Sequence, residues 1–308
     1  MENESSGMLI IDKPAGISSA KVTALLKRNA GLHKVGHTGT LDPFATGVLI
    51  CCVNQATRLA RFFLNGNKEY QGTLLLGTET DTLDITGKVI ATCDHFDFPE
   101  EHLHSVFRRF VGEIDQVPPA YSALKMNGVR LYKLARKGRP VQKSARRVMI
   151  SSLEILKIDL PKIDFQVACS AGTYIRTLCA DIGRELGCGS HLQRLRRIES
   201  CGFTIDQSVT LEEIETIVSQ GRLKDSLICM SDAIRAMKGM VADEGITKKI
   251  LYGKPITDSD LTGKWIESET RDRLNGYIKI VDLQNNLLAV IDTLKKDGAY
   301  DYCCVFHP

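Results

Sequence analysis

The chain has 308 residues, of which 43% are hydrophobic and 25% are charged, and its formal net charge is +3. This composition is that of an ordinary soluble globular protein, and the length suffices for one large domain or for a large and a small one. The sequence has no P-loop, no G-x-G-x-x-G fingerprint and, despite ten cysteines, no Cys-x-x-Cys pair typical of zinc sites. Its apolar runs are too short for a membrane span, and its acidic start is not that of a signal peptide. We therefore expect a cytoplasmic protein with reduced thiols.

The first part of the chain predicts strands and helices around one glycine-rich loop. In chain order we predict a strand over 8–14, a helix that Ser18 or Ser19 caps and that ends near Gly31, the loop GHTGTLDPFATG at 36–47, a strand over 48–53, a helix that Asn54 caps, and a strand over 68–76. The polar stretch 78–87 follows and holds two candidate carboxylates, Asp81 and Asp84. We predict a solvated loop there.

The second part predicts further alternation and a change of texture near Met237. In chain order we predict a helix over 100–110, an extended segment over 116–123, a strand over 163–170, a helix that Thr173 caps and Gly187 closes, a strand over 192–198, and a helix with Thr210 and Glu213 as a capping box. After Met237, a short helix over 244–252 precedes strands over 276–283, 287–293 and 302–306. We therefore predict domains at 1–237 and 238–308, the second of them small and β-rich.

The glycine-rich loop (36–47) is the first candidate site. Its glycines allow backbone conformations and close approaches that other residues cannot adopt. Pro43 restricts the backbone of Asp42 and fixes the conformation that follows. The pattern predicts a carboxylate on a stiff loop before a buried strand, where functional sites are common. An ordinary turn, with Asp at its first position and Pro at its second, is the alternative.

Basic residues form the second candidate feature. Between 129 and 148 the sequence has no Asp or Glu and eight cations, here called the basic run: Arg130, Lys133, Arg136, Lys137, Arg139, Lys143, Arg146 and Arg147. In a chain of almost neutral net charge, such a run predicts contact with a polyanion; a solvated surface is the alternative. Tyr121 and Tyr132 add candidate stacking surfaces for bases. Arg176, in the first turn of a predicted helix, predicts either an anionic partner or a solvated side chain, because the helix dipole disfavours a cation there.

Seven ordered motifs resemble those of the bacterial TruB family of tRNA pseudouridine synthases. They are DKPAG at 12–16, GHTGTLDP at 36–43, KEY at 68–70, VPPAYSA at 117–123, LYKLAR at 131–136, GTYIR at 172–176 and LRR at 195–197. The resemblance implies an α+β fold, with a catalytic core around a mixed, largely antiparallel sheet with flanking helices. It implies a small β-rich, PUA-like RNA-binding domain after the core. It also implies that uridine 55 in the tRNA T-arm is flipped out and isomerised to pseudouridine, without metal or cofactor.

The resemblance also implies a role for individual residues. Asp42 is the implied carboxylate that acts at the ribose, either as a nucleophile or by removing a sugar proton, and Arg176 is implied to pair with it and to lower its pKa. Tyr70 is implied to stack on the target base and to assist removal of the C5 proton. The implied substrate-binding residues are Tyr174 and Leu195 in the uracil pocket, His37 in the gap that the flipped base leaves, and Lys13.

Three other functions remain open from the sequence. A base-excising glycosylase could use the same carboxylate but would admit water to the sugar. A non-catalytic RNA-binding module would use the basic run alone. A guide-dependent enzyme would form pseudouridine by the same chemistry but would select its substrate with a guide RNA, as archaeal and eukaryotic relatives of the family do. The chain has no long basic tail, so we expect it to act on tRNA without a guide RNA. We also expect a monomer that does not bind a membrane.

Overall fold

The computed structural model describes residues 5–267, 274, 276–296 and 298–307. Its α-helices are α1 Ser19–Asn29, α2 Glu100–Arg109, α3 Leu131–Ala135, α4 Ile175–Glu185, α5 Leu211–Ser219, α6 Met230–Ala233 and α7 Glu244–Leu251. Its strands are β1 Gly7–Lys13, β2 Val35–His37, β3 Thr46–Val53, β4 Lys68–Leu76, β5 Thr78–Thr80, β6 Val89–Thr92, β7 Gly112–Gln116, β8 Lys125–Met126, β9 Val129–Arg130, β10 Arg146–Asp159, β11 Lys162–Cys169, β12 Ser190–Ser200, β13 Phe203–Thr204, β14 Lys238–Val241, β15 Trp265–Ile266, β16 Tyr277–Val281, β17 Leu287–Lys296 and β18 Ala299–Val305. Residues 1–4 of the predicted acidic start, and 268–273, 275, 297 and 308 of the predicted second domain, lie outside the described residues.

A large sheet carries the glycine-rich loop. Its strands are ordered β1-β3-β12-β4-β11-β10-β7, with β2 paired to β3 and β13 paired to β12. These pairs are antiparallel except for β3 with β12, which run parallel. Helices α1, α2, α4 and α5 contribute buried side chains to the apolar clusters that cover this sheet. The predicted α+β class, with a mixed and largely antiparallel sheet and flanking helices, is confirmed.

Strands β1 and β3 are buried on both faces, which explains their continuous apolar sequence. On one face, Leu9 and Leu49 join the cluster that includes side chains of α1 and α5. On the other face, Met8 and Ile50 join a cluster that extends into the second sheet. Successive residues of a strand point to opposite faces, so the two strands contribute to both clusters at once.

The second sheet orders its strands β15-β14-β16-β17-β18 and begins at Lys238. Its residues Val290 and Phe306 lie in one apolar cluster with Met8 and Ile50 of the large sheet. We call this the shared cluster. The β-rich C-terminal region is therefore confirmed, and it packs into the same core as the large sheet. Over the described residues, every helix is too short or too polar to cross a membrane.

Two predicted helix caps are wrong. Asn54 has a φ of +50° and opens the 3-10 helix Asn54–Phe62, and its side chain accepts instead from the backbone N–H of Lys34 at 3.0 Å. The hydroxyl of Thr173 donates to the Ser170 carbonyl at 3.0 Å, and α4 begins two residues further on. In both cases the side chain forms a hydrogen bond with a backbone group outside the helix and does not cap the helix. Short polar side chains commonly form such alternative bonds.

Strands β7 and β10 were not predicted from the sequence. The first half of β10 contains the end of the basic run, where exposed Arg147 and Met149 alternate with buried Val148 and Ile150. This period of two is that of a half-buried strand, but it is short and lies within a highly charged window. The run of positive charges therefore made the short alternation of exposed and buried residues difficult to recognise as a strand.

Candidate active site

The glycine-rich loop connects β2 to β3, with His37 on the first strand and Gly47 on the second. Between them, the backbone N–H of Ala45 donates to the Asp42 carbonyl at 3.1 Å. This bond closes a four-residue turn with Pro43 at its second position, as the turn alternative predicts. The same turn presents the Asp42 carboxylate, so the two interpretations of the sequence describe one feature.

Helix α1 and the segment before it anchor this turn. The Ser19 hydroxyl donates to the Leu41 carbonyl at 3.2 Å and accepts from the Leu41 N–H at 2.9 Å. The backbone N–H of Gly16 donates to the Pro43 carbonyl at 2.7 Å. Both neighbours of Asp42 are therefore held, which fixes the direction of its carboxylate.

Arg176 and Asp42 form the central ion pair of the site. Nε of Arg176 lies 2.9 Å from Oδ2 of Asp42, and Nη2 donates to Oδ1 at 3.4 Å. Arg176 is 4% exposed, and its guanidinium also donates to the carbonyls of Thr82 and Tyr121, each at 2.9 Å. These bonds from several directions hold the guanidinium in one orientation. The anionic partner that the first turn of α4 predicts is Asp42.

A second carboxylate, Asp84, completes the network and corrects the prediction of a solvated loop over 78–87. Asp84 is 4% exposed, and its Oδ2 lies 3.5 Å from Nη1 of Arg176. Its Oδ1 accepts from the Thr82 hydroxyl at 2.8 Å and from the Thr86 N–H at 2.9 Å. Arg176 therefore lies between two fixed carboxylates.

The sequence offers little to separate Asp84 from Asp81, which is exposed as predicted. The difference comes from tertiary pairing with β12. The Leu192 N–H donates to the Leu83 carbonyl at 3.1 Å, and the Ile85 N–H donates to the Leu192 carbonyl at 3.0 Å. The threonines two residues before and after Asp84 are the local signal of a fixed carboxylate, because short hydroxyl side chains bond readily within such turns.

Asp42 itself is one-third exposed, yet burial has the largest effect on the pKa of its carboxyl group. Burial raises this pKa, Arg176 lowers it, Asp84 raises it and Lys13 lowers it, and the net direction is upward. The expected lowering by Arg176 is therefore present, but desolvation together with the second carboxylate outweighs the cations.

Lys13 is fully buried at the end of β1. Its ammonium donates to the carbonyls of Pro14 at 2.7 Å, Ile17 at 2.9 Å and Pro43 at 3.3 Å. Burial lowers the pKa of Lys13 to about 8, against the opposing effect of Asp42. Lys13 has no exposed surface and supports the loop through these contacts, and its expected role in substrate binding stays a prediction.

Tyr70 and Leu195 line the apolar side of the site. They are 7% and 9% exposed, and they belong to one cluster with Leu41 and Ala45 of the glycine-rich loop. Tyr70 lies on β4 and Leu195 on the adjacent β12, so the register of the sheet places both. Burial raises the pKa of the Tyr70 phenol, while the neighbouring Arg197 opposes that rise. The phenol is therefore protonated at neutral pH.

Tyr174 is half-buried where α4 begins. The buried side chain of Gln116 accepts from the Tyr174 N–H at 2.7 Å and donates to the Tyr174 carbonyl at 3.0 Å. The Arg146 guanidinium lies over the Tyr174 ring, 4.8 Å from its centre. The sequence did not point to Gln116, because a contact between residues so far apart in the chain leaves no local pattern.

His37 is half-buried beside the loop. Within the described residues, its Nδ1 has no hydrogen-bond partner. Burial lowers the pKa of His37, and the charges of Arg197 and Arg130 lower it further, so the ring is neutral at pH 7. Arg130 belongs to the basic run, so the fold brings that run to the glycine-rich loop.

The basic run extends over β9, α3 and the start of β10. Six of its members are exposed and two are half-buried: Arg130, Lys133, Arg136, Lys137, Arg139 and Arg147, then Lys143 and Arg146. Arg147 lies 3.6 Å from Glu113 and 3.8 Å from Asp115, so β7 supplies carboxylates that the sequence window lacks. The other exposed cations form a surface that suits a polyanion.

The assembled site offers a carboxylate beside a fixed cation, a phenol and an apolar wall. A carboxylate so placed can stabilise positive charge on a sugar carbon or attack that carbon, as in retaining glycoside hydrolysis. In the part of the chain that the structure describes, no group of three or more His, Cys, Asp or Glu side chains is arranged to hold a metal ion.

Known proteins match this chain along most of its length. Residues 27–175 match the profile of the TruB family pseudouridylate synthase N-terminal domain, and residues 176–241 match that of the tRNA pseudouridylate synthase B C-terminal domain. The chain is 45% identical over 265 residues to tRNA pseudouridine synthase B of Syntrophotalea carbinolica, covering 86% of each protein. It is 40% identical over 271 residues to the protein of that name from Geobacter sulfurreducens, covering 87% of this chain and 89% of the other.

Solved structures share the fold. A chain of a Cbf5–Nop10–Gar1 complex matches with a TM-score of 0.75 and 27% identity, covering 98% of this chain and 85% of that chain. A chain of an archaeal box H/ACA sRNP Nop10–Cbf5 complex matches with a TM-score of 0.73 and 25% identity, covering 99% and 87%. With two adjoining profile matches and relatives of this identity and coverage, the chain belongs to the TruB family of pseudouridylate synthases.

Proposed function

We propose that this protein isomerises uridine 55 in the T-arm of tRNA to pseudouridine. The observation that carries the proposal is the ion pair of Arg176 with Asp42, whose nearest atoms are 2.9 Å apart. Tyr70 and Leu195 lie in one apolar cluster with residues of the same loop. Relatives at 40–47% identity carry the name tRNA pseudouridine synthase B, which supports tRNA as the substrate.

The reaction rearranges uridine without adding or removing atoms. The bond from ribose C1′ to uracil N1 breaks, a bond from C1′ to C5 forms, C5 loses a proton and N1 gains one. Asp42 acts in this step either by attacking C1′ or by removing a sugar proton, and both routes need the ionised carboxylate. Arg176 favours that form and fixes the direction from which the carboxylate approaches the sugar.

The apolar side of the site, formed by Tyr70 and Leu195, holds the uracil after its bond to the sugar has broken. The Tyr70 ring stacks on the uracil and its phenol assists removal of the C5 proton. Leu195 and Tyr174 close the pocket, which keeps water from C1′ and prevents loss of the base by hydrolysis. A uridine inside a folded loop must be flipped out to reach this pocket, and His37 fills the vacated place.

The T-arm binds along the exposed cations of the basic run. The second sheet contacts RNA further from the site as a PUA-like domain, and the proposed catalytic and RNA-binding domains are 1–237 and 238–308. In this proposal the protein is a cytoplasmic monomer that needs no guide RNA and no cofactor.

Release of tritium from tRNA labelled at uridine C5 tests the proposal, with pure protein and no added cofactor or guide RNA. We expect release by the wild type and only background release by Asp42→Asn, because the amide can neither attack C1′ nor take a proton. Filter binding should give both proteins similar affinity for tRNA. Equal release of tritium by the two proteins would show that Asp42 has no role in the reaction.

The products separate the other functions. Free uracil and an abasic site would identify a base-excising glycosylase. Tight tRNA binding without any release by the wild type would identify an RNA-binding module. Release that appears only when an RNA extract from cells is added would identify a guide-dependent enzyme.

A further inference from the structure

Arg197 has no role in the reaction as described so far, although it is the largest of the fully buried side chains among the described residues. It lies on β12 and is 1% exposed. Its Nε donates to the Val48 carbonyl at 2.7 Å, and its Nη2 donates to the Gly39 carbonyl at 3.1 Å. Both acceptors are neutral backbone groups. A buried cation that relies on neutral acceptors costs folding free energy, so packing alone is a poor explanation for it.

The register of the sheet places Arg197 between two parts of the site. It lies directly opposite Tyr70 in the antiparallel pair of β12 with β4. It lies directly opposite Gly47 in the parallel pair of β12 with β3. Side chains of directly opposed residues share one face of a sheet and contact each other. The guanidinium therefore reaches the phenol on one side and the glycine-rich loop on the other.

We propose that Arg197 is a positioning residue for the isomerisation: it fixes the phenol of Tyr70 relative to the loop that carries Asp42. The contacts with Gly39 and Val48 attach Arg197 to the glycine-rich loop and to the strand that follows it. The register of β12 with β4 places Arg197 beside Tyr70. This inference rests on the proposed function, because the placement of the phenol matters only if a uracil is held against it.

The charges around Tyr70 give this contact a second effect. Burial raises the pKa of the phenol, the charge of Arg197 lowers it, and Cys169 of β11 and Asp42 raise it. Arg197 is thus the cation that counters the desolvation of the phenol. Removing it leaves the phenol harder to ionise and less able to exchange a proton with C5.

A double-mutant cycle tests the proposal under single-turnover conditions, with enzyme in excess over a T-arm hairpin. The variants are Arg197→Met, which keeps the volume and removes the charge, Tyr70→Phe, and the two combined. If Arg197 acts through the phenol, Arg197→Met slows the wild type by about tenfold or more but slows Tyr70→Phe by less than about twofold, because residues that act as a unit are not additive. Hairpin affinity stays within about threefold, since the change affects the chemical step rather than ground-state binding.

The control is Arg184→Met, which removes an exposed arginine from the surface of α4 and should leave the rate unchanged. Circular dichroism checks that each variant is folded. If Arg197→Met does not fold, Arg197→Gln goes through the same cycle by the same criteria, because its amide can still donate to a buried carbonyl but carries no charge. Equal slowing in the two backgrounds would overturn the proposal, and so would a variant as fast as the wild type.

A titration of Tyr70 separates this proposal from the proposed function. Ring-labelled tyrosine is followed by NMR against pH, and Tyr70→Phe identifies the Tyr70 signal. We expect Arg197→Met, or the equally uncharged Arg197→Gln if only that variant folds, to raise the pKa of Tyr70. An unchanged pKa would overturn the role of Arg197 even in an active enzyme. A wild type that makes no pseudouridine would refute the proposed function, while this titration would still test the contact.

Discussion

At the residue scale, the site is a row of charges in which one cation lies between two carboxylates. Arg176 contacts the partly exposed Asp42 on one side and the buried Asp84 on the other. The exposed carboxylate is available for chemistry, whereas the buried one is held by threonines of its own loop. The charge of Asp84 therefore orients Arg176 and also makes Asp42 harder to ionise.

We expect Asp84→Asn to move the acidic limb of the rate profile to lower pH. The proposed reaction needs ionised Asp42, so its rate should be present above the pKa of Asp42 and be lost as the pH falls through it. Asp84 raises that pKa, so its removal lowers it. The plateau rate should also fall, because Arg176 loses an anchor. Single-turnover rates across the acidic range measure both effects.

Asp81→Asn is the matched control for this change. It alters an exposed carboxylate of the same loop and should leave the profile unchanged. An acidic limb that stays in place in Asp84→Asn, or moves to higher pH, would show that Asp84 does not act on the ionisation of Asp42.

Arg176→Ala should lose most turnover because Asp42 loses its fixed counter-charge. The same change should move the acidic limb to higher pH, since Arg176 lowers the pKa of Asp42. Tritium release across the acidic range checks both. A variant as active as the wild type would exclude a catalytic function for the ion pair.

We expect His37→Ala to slow modification of a structured T-arm by about tenfold to a hundredfold. Flipping a base costs a few kcal/mol, and a ring that fills the gap recovers about 1–3 kcal/mol, with each tenfold in rate corresponding to about 1.4 kcal/mol. The His37 ring is neutral at pH 7. Its Nδ1 forms no hydrogen bond with the described residues, so it is available to bond to the RNA. An RNA whose loop is already open should be slowed much less. Equal slowing of both RNAs would mean that His37 acts in the chemistry or in shaping the loop.

At the scale of elements, the parallel contact of β3 with β12 decides the geometry of the loop. Gly47 has a φ of +103°, and a Cβ at this position would lie 2.1 Å from the Arg197 carbonyl oxygen. The two strands approach so closely that only a residue without a side chain fits. The absence of a side chain at Gly47 therefore lets the loop that carries Asp42 lie close against β12.

We expect Gly47→Ala to lower the free energy of unfolding by about 2–4 kcal/mol, because it combines a disfavoured φ with a backbone clash. Urea unfolding measures this change. Gly36→Ala is the control, because its φ is not positive and its nearest neighbour, a Thr57 methyl, is 3.7 Å from the added Cβ. Equal loss in the two variants would mean that close approach at Gly47 does not set the register.

The sequence predicted the elements that show their pattern locally. Strand β1 has a continuous apolar run, strands β4 and β11 and helices α1, α2 and α5 have apolar periodicity, and Ser18 and Thr210 cap two of the helices as predicted. Asp42, Tyr70 and Arg176 could be named because the motifs that contain them resemble a family. Asp84 could not be distinguished from Asp81, and Gln116 could not be named, because their burial depends on contacts across the chain. The net rise in the pKa of Asp42 could not be predicted either, because it depends on burial and on Asp84.

At the scale of the whole molecule, the change of sequence texture near Met237 does not separate two independent cores. Met8 and Ile50 of the large sheet share a cluster with Val290 and Phe306 of the second sheet. These residues have almost no exposed surface. Removing the second sheet would expose the apolar face of β1 and β3, so we expect that the remainder does not fold alone.

We expect the two sheets to unfold together. Trp265, the single tryptophan of the chain, lies on β15, so its fluorescence reports the second sheet, whereas far-UV circular dichroism reports both. A shared core predicts coincident urea transitions for the two signals. Phe306→Ala should shift both together and cost about 3–5 kcal/mol.

Separate transitions would contradict this prediction, and so would a soluble, folded fragment that lacks residues 238–308. If such a fragment does fold, its affinity for full tRNA and for the T-arm hairpin shows what the second sheet contacts. A larger loss for full tRNA would support a PUA-like role at the far end of the substrate.

The shared cluster also bears on which parts of the molecule can move. Rotating the two sheets against each other would separate its buried side chains, so we expect the sheets to move together. Among the described residues, the segment 124–145, which carries most of the basic run, contributes no side chain to the four large apolar clusters. We therefore expect this segment to change its conformation when the proposed RNA substrate binds. Its amides should exchange with deuterium before those of β3, and should slow when the T-arm is bound.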